Sequence, residues 1–229
     1  MFAQPEVHLL GHIVGSGVKR ADPQRLNAIA AIPRPTTKRE LRRFLGALGY
    51  YREYIPQFAR IARPLTDMTS KKCSNTLAWQ DEHERSFLAL VREVCSPQVL
   101  ALPDIGRPYE LHTDASGSAV AAALGHRHEG KVERPIAFAS QKLSGSQLGW
   151  AIIEKEAYAI IWALNRFKNI IYGSHITVHC DHNPLQYIRE CAPKSAKLLR
   201  WALSLQEFDI EVQYTKGSEN VVADFLSRA

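Results

Sequence analysis

The chain has 229 residues, 45% hydrophobic and 23% charged, long enough for one large domain or two small ones. No apolar run approaches the roughly 20 residues that span a bilayer, and the start, Met-Phe-Ala-Gln-Pro, lacks the charged head and apolar core of a signal peptide, so neither secretion nor a membrane span is expected. The net charge of +6 and pI near 9.2 suit a polyanionic partner, while Cys73, Cys95, Cys180 and Cys191 form no Cys-x-x-Cys pair and argue for a reducing compartment without zinc.

In chain order, Glu6 to Val14 followed by Gly15-Ser-Gly17 predicts a strand running into a turn. Asp22 as cap and Pro23 as first residue predict a short helix up to Ile32. Thr37-Lys-Arg-Glu40 has the capping-box spacing. The helix it opens places Leu41, Phe44, Leu45, Leu48 and Tyr51 on one face. Lys38, Arg39, Arg42 and Arg43 fall off that face, crowded into little more than one turn. They are either a solvated flank or a set of phosphate contacts. The aromatics of Tyr50 to Pro56 read as core. Asp81 to Cys95 predicts another helix, with Phe87, Leu88, Val91 and Val94 inward. Breakers at Ser96-Pro97 and Pro103 to Pro108 put a domain boundary near Leu102.

Beyond it, Tyr109 to Asp114 alternates like a strand, and Ala115-Ser-Gly-Ser118 is a tight turn. Ala119–His126 and Pro135–Ser140 predict two more strands. A long helix over Ile152–Phe167 follows, with Gly173 suited to its C-terminal cap. A fourth strand covers His175–Asp181, and helices cover Pro184–Cys191 and Ser195–Gln206. A fifth strand, Asp209–Tyr214, precedes a final helix over Asn220–Ser227. This order describes an α/β domain, a mixed five-stranded sheet with helices packed on it.

The long helix poses the functional question. Ile152, Ile153, Ala159, Ile160, Ala163 and Phe167 recur as one apolar stripe, and Glu156 lies on it. A carboxylate facing a core is costly unless compensated. Glu154 and Lys155 fall away from the stripe and read as solvated. If the first and fourth strands are parallel neighbours, Asp114 and Asp181 emerge at the same edge of the sheet, where ligand sites form in open α/β folds. Asp224 on the last helix could close a ring with them. Each has an ordinary reading too: Asp114 as a turn residue, Asp181 as a helix cap, Asp224 as a solvated residue. Together, four carboxylates need cations, because like charges repel and their protons return. All-oxygen ligands select magnesium, with manganese possible. Two such ions about 3.5–4 Å apart support in-line displacement at phosphorus. No Ser-His-Asp or Cys-His set and no Walker-type loop competes.

Thr113-Asp-Ala-Ser116, Ile153 to Ile160, Cys180 to Leu185 and Asn220 to Arg228 together resemble the RNase H domain of gypsy-like LTR-retrotransposon reverse transcriptases. Phe44 to Arg52 and Ile61 to Thr66 resemble the thumb of these enzymes. Val7-His-Leu-Leu-Gly-His12 is similar to their primer-grip hairpin, with Leu9 where the family usually has Phe. The resemblance spans nearly the whole chain. It implies a primer grip and end of palm over 1–32, thumb helices over 33–102 and an RNase H domain over 103–229. The implied activity is hydrolysis of the RNA strand of RNA–DNA hybrids. Asp114 would bridge two metal ions, Glu156 and Asp181 would hold one, and Asp224 the other. Ser116, Gly117 and Asn183 are implied contacts to nucleic acid in that domain. Gly11 and His12, with Lys38, Arg39, Arg42 and Arg43, are implied contacts to the template–primer duplex.

The chain also departs from the pattern. Tyr214-Thr-Lys-Gly-Ser218 lacks the histidine that cellular RNases H carry before the last aspartate, and the second strand lacks a following glutamine. No Tyr-x-Asp-Asp polymerase motif is present, fingers and most of the palm are missing, and no integrase follows Ala229. The expectation is a piece of a Pol polyprotein that does not polymerise DNA alone and works with the palm and fingers of that polyprotein. Its place would be the cytoplasm, in a retroelement particle, or the nucleus. A silent or domesticated nucleic-acid-binding fragment is the alternative. An integrase core is a third reading, disfavoured because such cores close their site with a late glutamate.

Overall fold

A computed structural model describes residues 4–96, 99–128, 131–180, 188 and 195–214. The chain forms two compact units, Met1–Leu102 and Pro103–Ala229.

The first unit opens with strands β1 (Glu6–Leu9), β2 (His12–Gly15) and β3 (Val18–Ala21), joined later by β4 (Leu100–Ala101) in one antiparallel sheet of order β1-β2-β3-β4. The single strand expected over Glu6–Val14 is in fact two, folded at Leu10 and Gly11. Both have positive φ, +50° and +82°, the conformation of a tight hairpin turn. Leucine is an unusual residue for that backbone, so only Gly11 signalled the turn. A Cβ there would also lie 2.8 Å from the Tyr51 hydroxyl.

Helices α1 (Pro23–Ala30), α2 (Lys38–Tyr50), α3 (Phe58–Ile61), α4 (Arg63–Met68) and α5 (Asp81–Cys95) complete the unit, with a 3-10 turn at Arg52–Tyr54. Asp22 caps α1 by accepting the Gln24 N–H at 2.9 Å. The capping box of α2 forms: the Thr37 hydroxyl accepts the Glu40 N–H, and the Glu40 carboxylate accepts the Thr36 and Thr37 N–H groups at 2.8 and 3.2 Å. Leu41, Phe44 and Leu48 are fully buried, and Phe44 meets Phe87 of α5 with ring centroids 4.9 Å apart. On α5 the inward set is Phe87, Leu90 and Val94, whereas Leu88 is exposed. Two stripes with helical spacing overlap there, and packing chose the one through Leu90.

The second unit is built on β5 (Tyr109–Ala115), β6 (Ala119–His128), β7 (Lys131–Lys142), β8 (His175–Cys180) and β9 (Asp209–Tyr214). Their order is β7-β6-β5-β8-β9. Strands β7, β6 and β5 form an antiparallel meander, while β5, β8 and β9 run parallel. A short helix α6 (Gly145–Leu148) leads into α7 (Ile152–Ile171), which crosses between β7 and β8 and packs on β5, β6 and β8. Tyr172 ends α7, and Gly173 follows at φ +78°. Helix α8 (Ala196–Leu205) packs against α7 through Trp201, Ala202 and Leu205, which surround Ala157 and Ile161. A polar clamp joins the two helices. Lys197 pairs with Glu154 at 2.7 Å and sits 4.3 Å from the Trp150 ring centroid and 5.2 Å from that of Trp201. The helices expected over Pro184–Cys191 and Asn220–Ser227 lie outside the described residues, apart from Ile188, which is helical. No helix among the described residues is long and apolar enough to cross a membrane.

Candidate active site

Strand alternation divides β5 into two faces. Ala115 and its cross-strand neighbour Val120 pack against Ala159 of α7. By that alternation Glu110, His112 and Asp114 share the opposite face. Asp114 is half-buried, next to the end of the strand. The parallel register pairs His112 with His179 on β8, so the C-terminal ends of the two strands run side by side. Cys180 is the last described residue there. Asp181, Asn183 and Asp224 lie outside the described residues.

Glu156 stands on the second turn of α7 at 2% exposure. Ala159, three residues on, touches the end of β5 through Ala115. Glu156 therefore lies about 4.5 Å further along the helix axis, towards and past the end of that strand. Two expectations for this helix need correction. Ile152 is 67% exposed, outside the core stripe, and Lys155 is 7% exposed rather than solvated. The Lys155 ammonium donates to the Gly117 carbonyl at 3.3 Å and the Leu148 carbonyl at 2.9 Å. Helix α7 lies between the sheet and α8, so its buried arc is wider than one stripe. Glu154 is also held rather than free, by Lys197 and by the Ala151 N–H at 3.2 Å.

The turn after Asp114 closes on itself. The Ser116 hydroxyl donates to the Ala119 carbonyl at 3.0 Å and accepts the Ala119 N–H at 2.9 Å. Gly117 is exposed, with open space where a Cβ would stand. The Asp114 face of β5 also holds a buried polar group that the sequence reading missed. Glu110 and His112 are 3% and 5% exposed. His179 hydrogen-bonds Glu110 and stacks on His112, with ring centroids 4.4 Å apart and 10° between planes. The polar alternation at 110, 112 and 114 was visible, but such alternation ordinarily marks a face turned to water. Among the described residues no three His, Cys, Asp or Glu side chains come together as a metal site. Two of the four expected carboxylates lie beyond those residues.

In the first unit, Lys38 does not present its charge outward. It is 7% exposed, and its ammonium donates to the carbonyls of Ser70, at 2.8 Å, and Cys73. It continues the buried face of α2 and straps the loop after α4. Arg42 reaches the Thr69 carbonyl at 2.8 Å, while Arg39 and Arg43 are exposed. Arg43 and Arg25 border an open groove of about 860 Å3 that also takes in Gly11, Tyr50 and Tyr51. The Gly11 carbonyl accepts the Asp22 N–H at 3.0 Å and the Tyr51 hydroxyl at 3.2 Å. His12 lies between the stacked rings of Tyr50 and Tyr54, its Nδ1 2.9 Å from the Tyr54 hydroxyl. Burial pushes the His12 pKa below its usual value; Glu53 opposes this and Lys19 adds to it. Burial likewise pushes the Tyr54 hydroxyl far up.

Residues 104–208 match the family described as the RNase H-like domain found in reverse transcriptase. The Pol polyprotein from transposon opus of Drosophila melanogaster is 39% identical, with 99% of this chain and 24% of that protein aligned. The Pol polyproteins from transposons 297 and gypsy of the same organism are each 36% identical, again over 99% of this chain and over 21% and 22% of their own lengths. The chain thus spans about a quarter or less of these relatives. Among solved structures, the foamy viral protease-reverse transcriptase in complex with double-stranded DNA aligns with a TM-score of 0.79 at 23% identity, over 93% of this chain and 38% of that one. The same viral protein in complex with an RNA/DNA hybrid aligns at 0.78 and 23%, over 93% and 29%. At that identity the likeness is one of fold. The sheet order, the match over residues 104–208 and the near-complete alignment to the Drosophila proteins lead to one conclusion: this chain belongs to the gypsy-type retrotransposon Pol family and carries its RNase H-like domain.

Proposed function

We propose that this chain hydrolyses the RNA strand of RNA–DNA hybrids at the end of β5, in a metal-dependent reaction. What supports the proposal is the placement of Asp114 next to the end of a central strand and of the buried Glu156 on the helix that packs on that sheet, inside an RNase H-like domain. Burying a carboxylate to 2% exposure costs free energy, and a cation held beside it would lower that cost. The donors are oxygens, which fit magnesium, with manganese as the close substitute. Asp114 and Glu156 would hold the ions together with Asp181 and Asp224. When bound, two such ions supply activation of a water and stabilisation of the leaving oxygen at phosphorus. The chain's own part is to fix the carboxylates, through the β5–β8 register and the docking of α7. The 2′-hydroxyl distinguishes the RNA strand from the DNA strand.

The first unit would grip the template–primer duplex with Arg39 and Arg43, which are exposed and close together on α2. The relatives are at least four times longer, which supports action as part of a longer Pol polyprotein, alongside its palm and fingers.

The test is cleavage of an end-labelled RNA–DNA hybrid in magnesium by the wild type and by Asp114→Asn. Cleavage lost in the variant and in EDTA is the expected result. A folded wild type that binds hybrid without cutting it would replace the nuclease reading with that of a binding module.

A further inference from the structure

We infer that Lys155 is a positioning residue that sets the spacing between the Asp114 strand end and the Glu156 helix; this rests on the nuclease reading of that site. Lysine is almost never buried unless its charge is used, yet Lys155 is 7% exposed. Its ammonium ties together two points that flank the carboxylates. One is the Gly117 carbonyl, in the turn three residues after Asp114, at 3.3 Å. The other is the Leu148 carbonyl, at the end of α6 just ahead of α7, at 2.9 Å.

The turn does not need Lys155 for its own shape. The Ser116 N–H and hydroxyl both reach the Ala119 carbonyl, and the Leu143 N–H reaches the Ser118 carbonyl at 2.8 Å. Nor is the turn held to the helix by packing at Gly117, where nothing lies within 4 Å of a Cβ position. What Lys155 adds is a fixed distance from turn to helix, from the residue next to Glu156. Catalytic constellations need supporting groups that hold them to within about 0.5 Å. An apolar side chain at 155 would be easier to bury but would leave that distance loose.

The test uses the full 229-residue chain as wild type, Lys155→Met and Lys155→Arg. Free Mn2+ is counted by electron paramagnetic resonance during titration, beside melting curves, hybrid binding in EDTA and the Mg2+ dependence of cleavage. Outer-shell partners of metal ligands typically shift metal affinity 10–100-fold, so Lys155→Met is expected to bind Mn2+ about tenfold more weakly. The Mg2+ needed for cleavage should rise in parallel, with hybrid affinity near wild type and a melting point lowered by the two lost hydrogen bonds. Lys155→Arg, which keeps charge and donors, should lie between the two. Wild-type Mn2+ affinity in Lys155→Met, whether or not its melting point drops, would overturn the inference. Should Lys155→Met fail to fold, the same titration on Lys155→Gln decides by the same criterion. A wild type that neither binds Mn2+ nor cleaves would instead overturn the nuclease reading, and this inference with it.

Discussion

Glu156 and His12 each carry a consequence that one substitution or one titration can expose. Replacing the buried carboxylate with an amide in Glu156→Gln keeps shape and removes charge. Cleavage should fall at least about a hundredfold, about 2.7 kcal/mol of barrier, while the metal-free variant melts at or above the wild type. Lower melting together with full activity would refute both halves. His12 has a folded-state pKa below its usual value, chiefly through burial. Its neutral form is therefore the one the fold favours. The stability it contributes is present above the unfolded value near 6.5 and is lost as pH falls through the depressed folded value. An NMR titration should place the His12 midpoint below 6.5; a midpoint above it would contradict this account.

Among the elements, α2 separates charges that hold the fold from charges open to a ligand. Lys38→Met removes two charge-assisted bonds to the Ser70 and Cys73 carbonyls, and should lower stability by about 2 kcal/mol without changing duplex affinity. The double change Arg39→Ala and Arg43→Ala should do the reverse. It should leave stability within about 0.5 kcal/mol and reduce the salt slope of duplex binding by about 2. Denaturant melts and binding across a salt series read both. The cap of α2 was legible in the sequence because its partners are three residues apart. The role of Lys38 was not, since its two acceptors lie in a loop more than thirty residues away. Glu156 was legible for a local reason: it sits on an apolar stripe. Lys155 and the Glu110–His112–His179 group were not, because their burial depends on α8, the β5–β6 turn and the parallel neighbour of β5. Leu10 hid a turn behind an apolar residue.

Across the whole molecule, each unit holds its own core, and the first has a thin margin. All four β1 residues are exposed, while α7 has ten buried residues. Native-state hydrogen exchange should therefore be much faster at Val7 and Leu9 than at Ile160 and Leu164. Equal protection would show that β1 is held more firmly than its exposure implies. The fold class was readable from three strands, a helix and two further strands in sequence, whereas the sheet order came from the structure; the sequence posed the parallel pairing of the first and fourth strands only as a condition, one that crossover connections favour.

The place of β5 in its sheet also bears on how the chain reaches this structure. On one side β5 meets β6, a few residues away through a tight turn; on the other it meets β8, more than sixty residues on, beyond β7 and α7. Hairpin pairing closes in microseconds, whereas distant parallel pairing waits on loop closure. The β5–β6 meander should thus be structured in the folding transition state while the β5–β8 contacts form later, with high φ-values at Leu124 and low ones at Val178. The nascent domain would then hold the strand that carries Asp114 well before the edge beside it is complete, so the proposed site would be among the last parts of the domain to assemble.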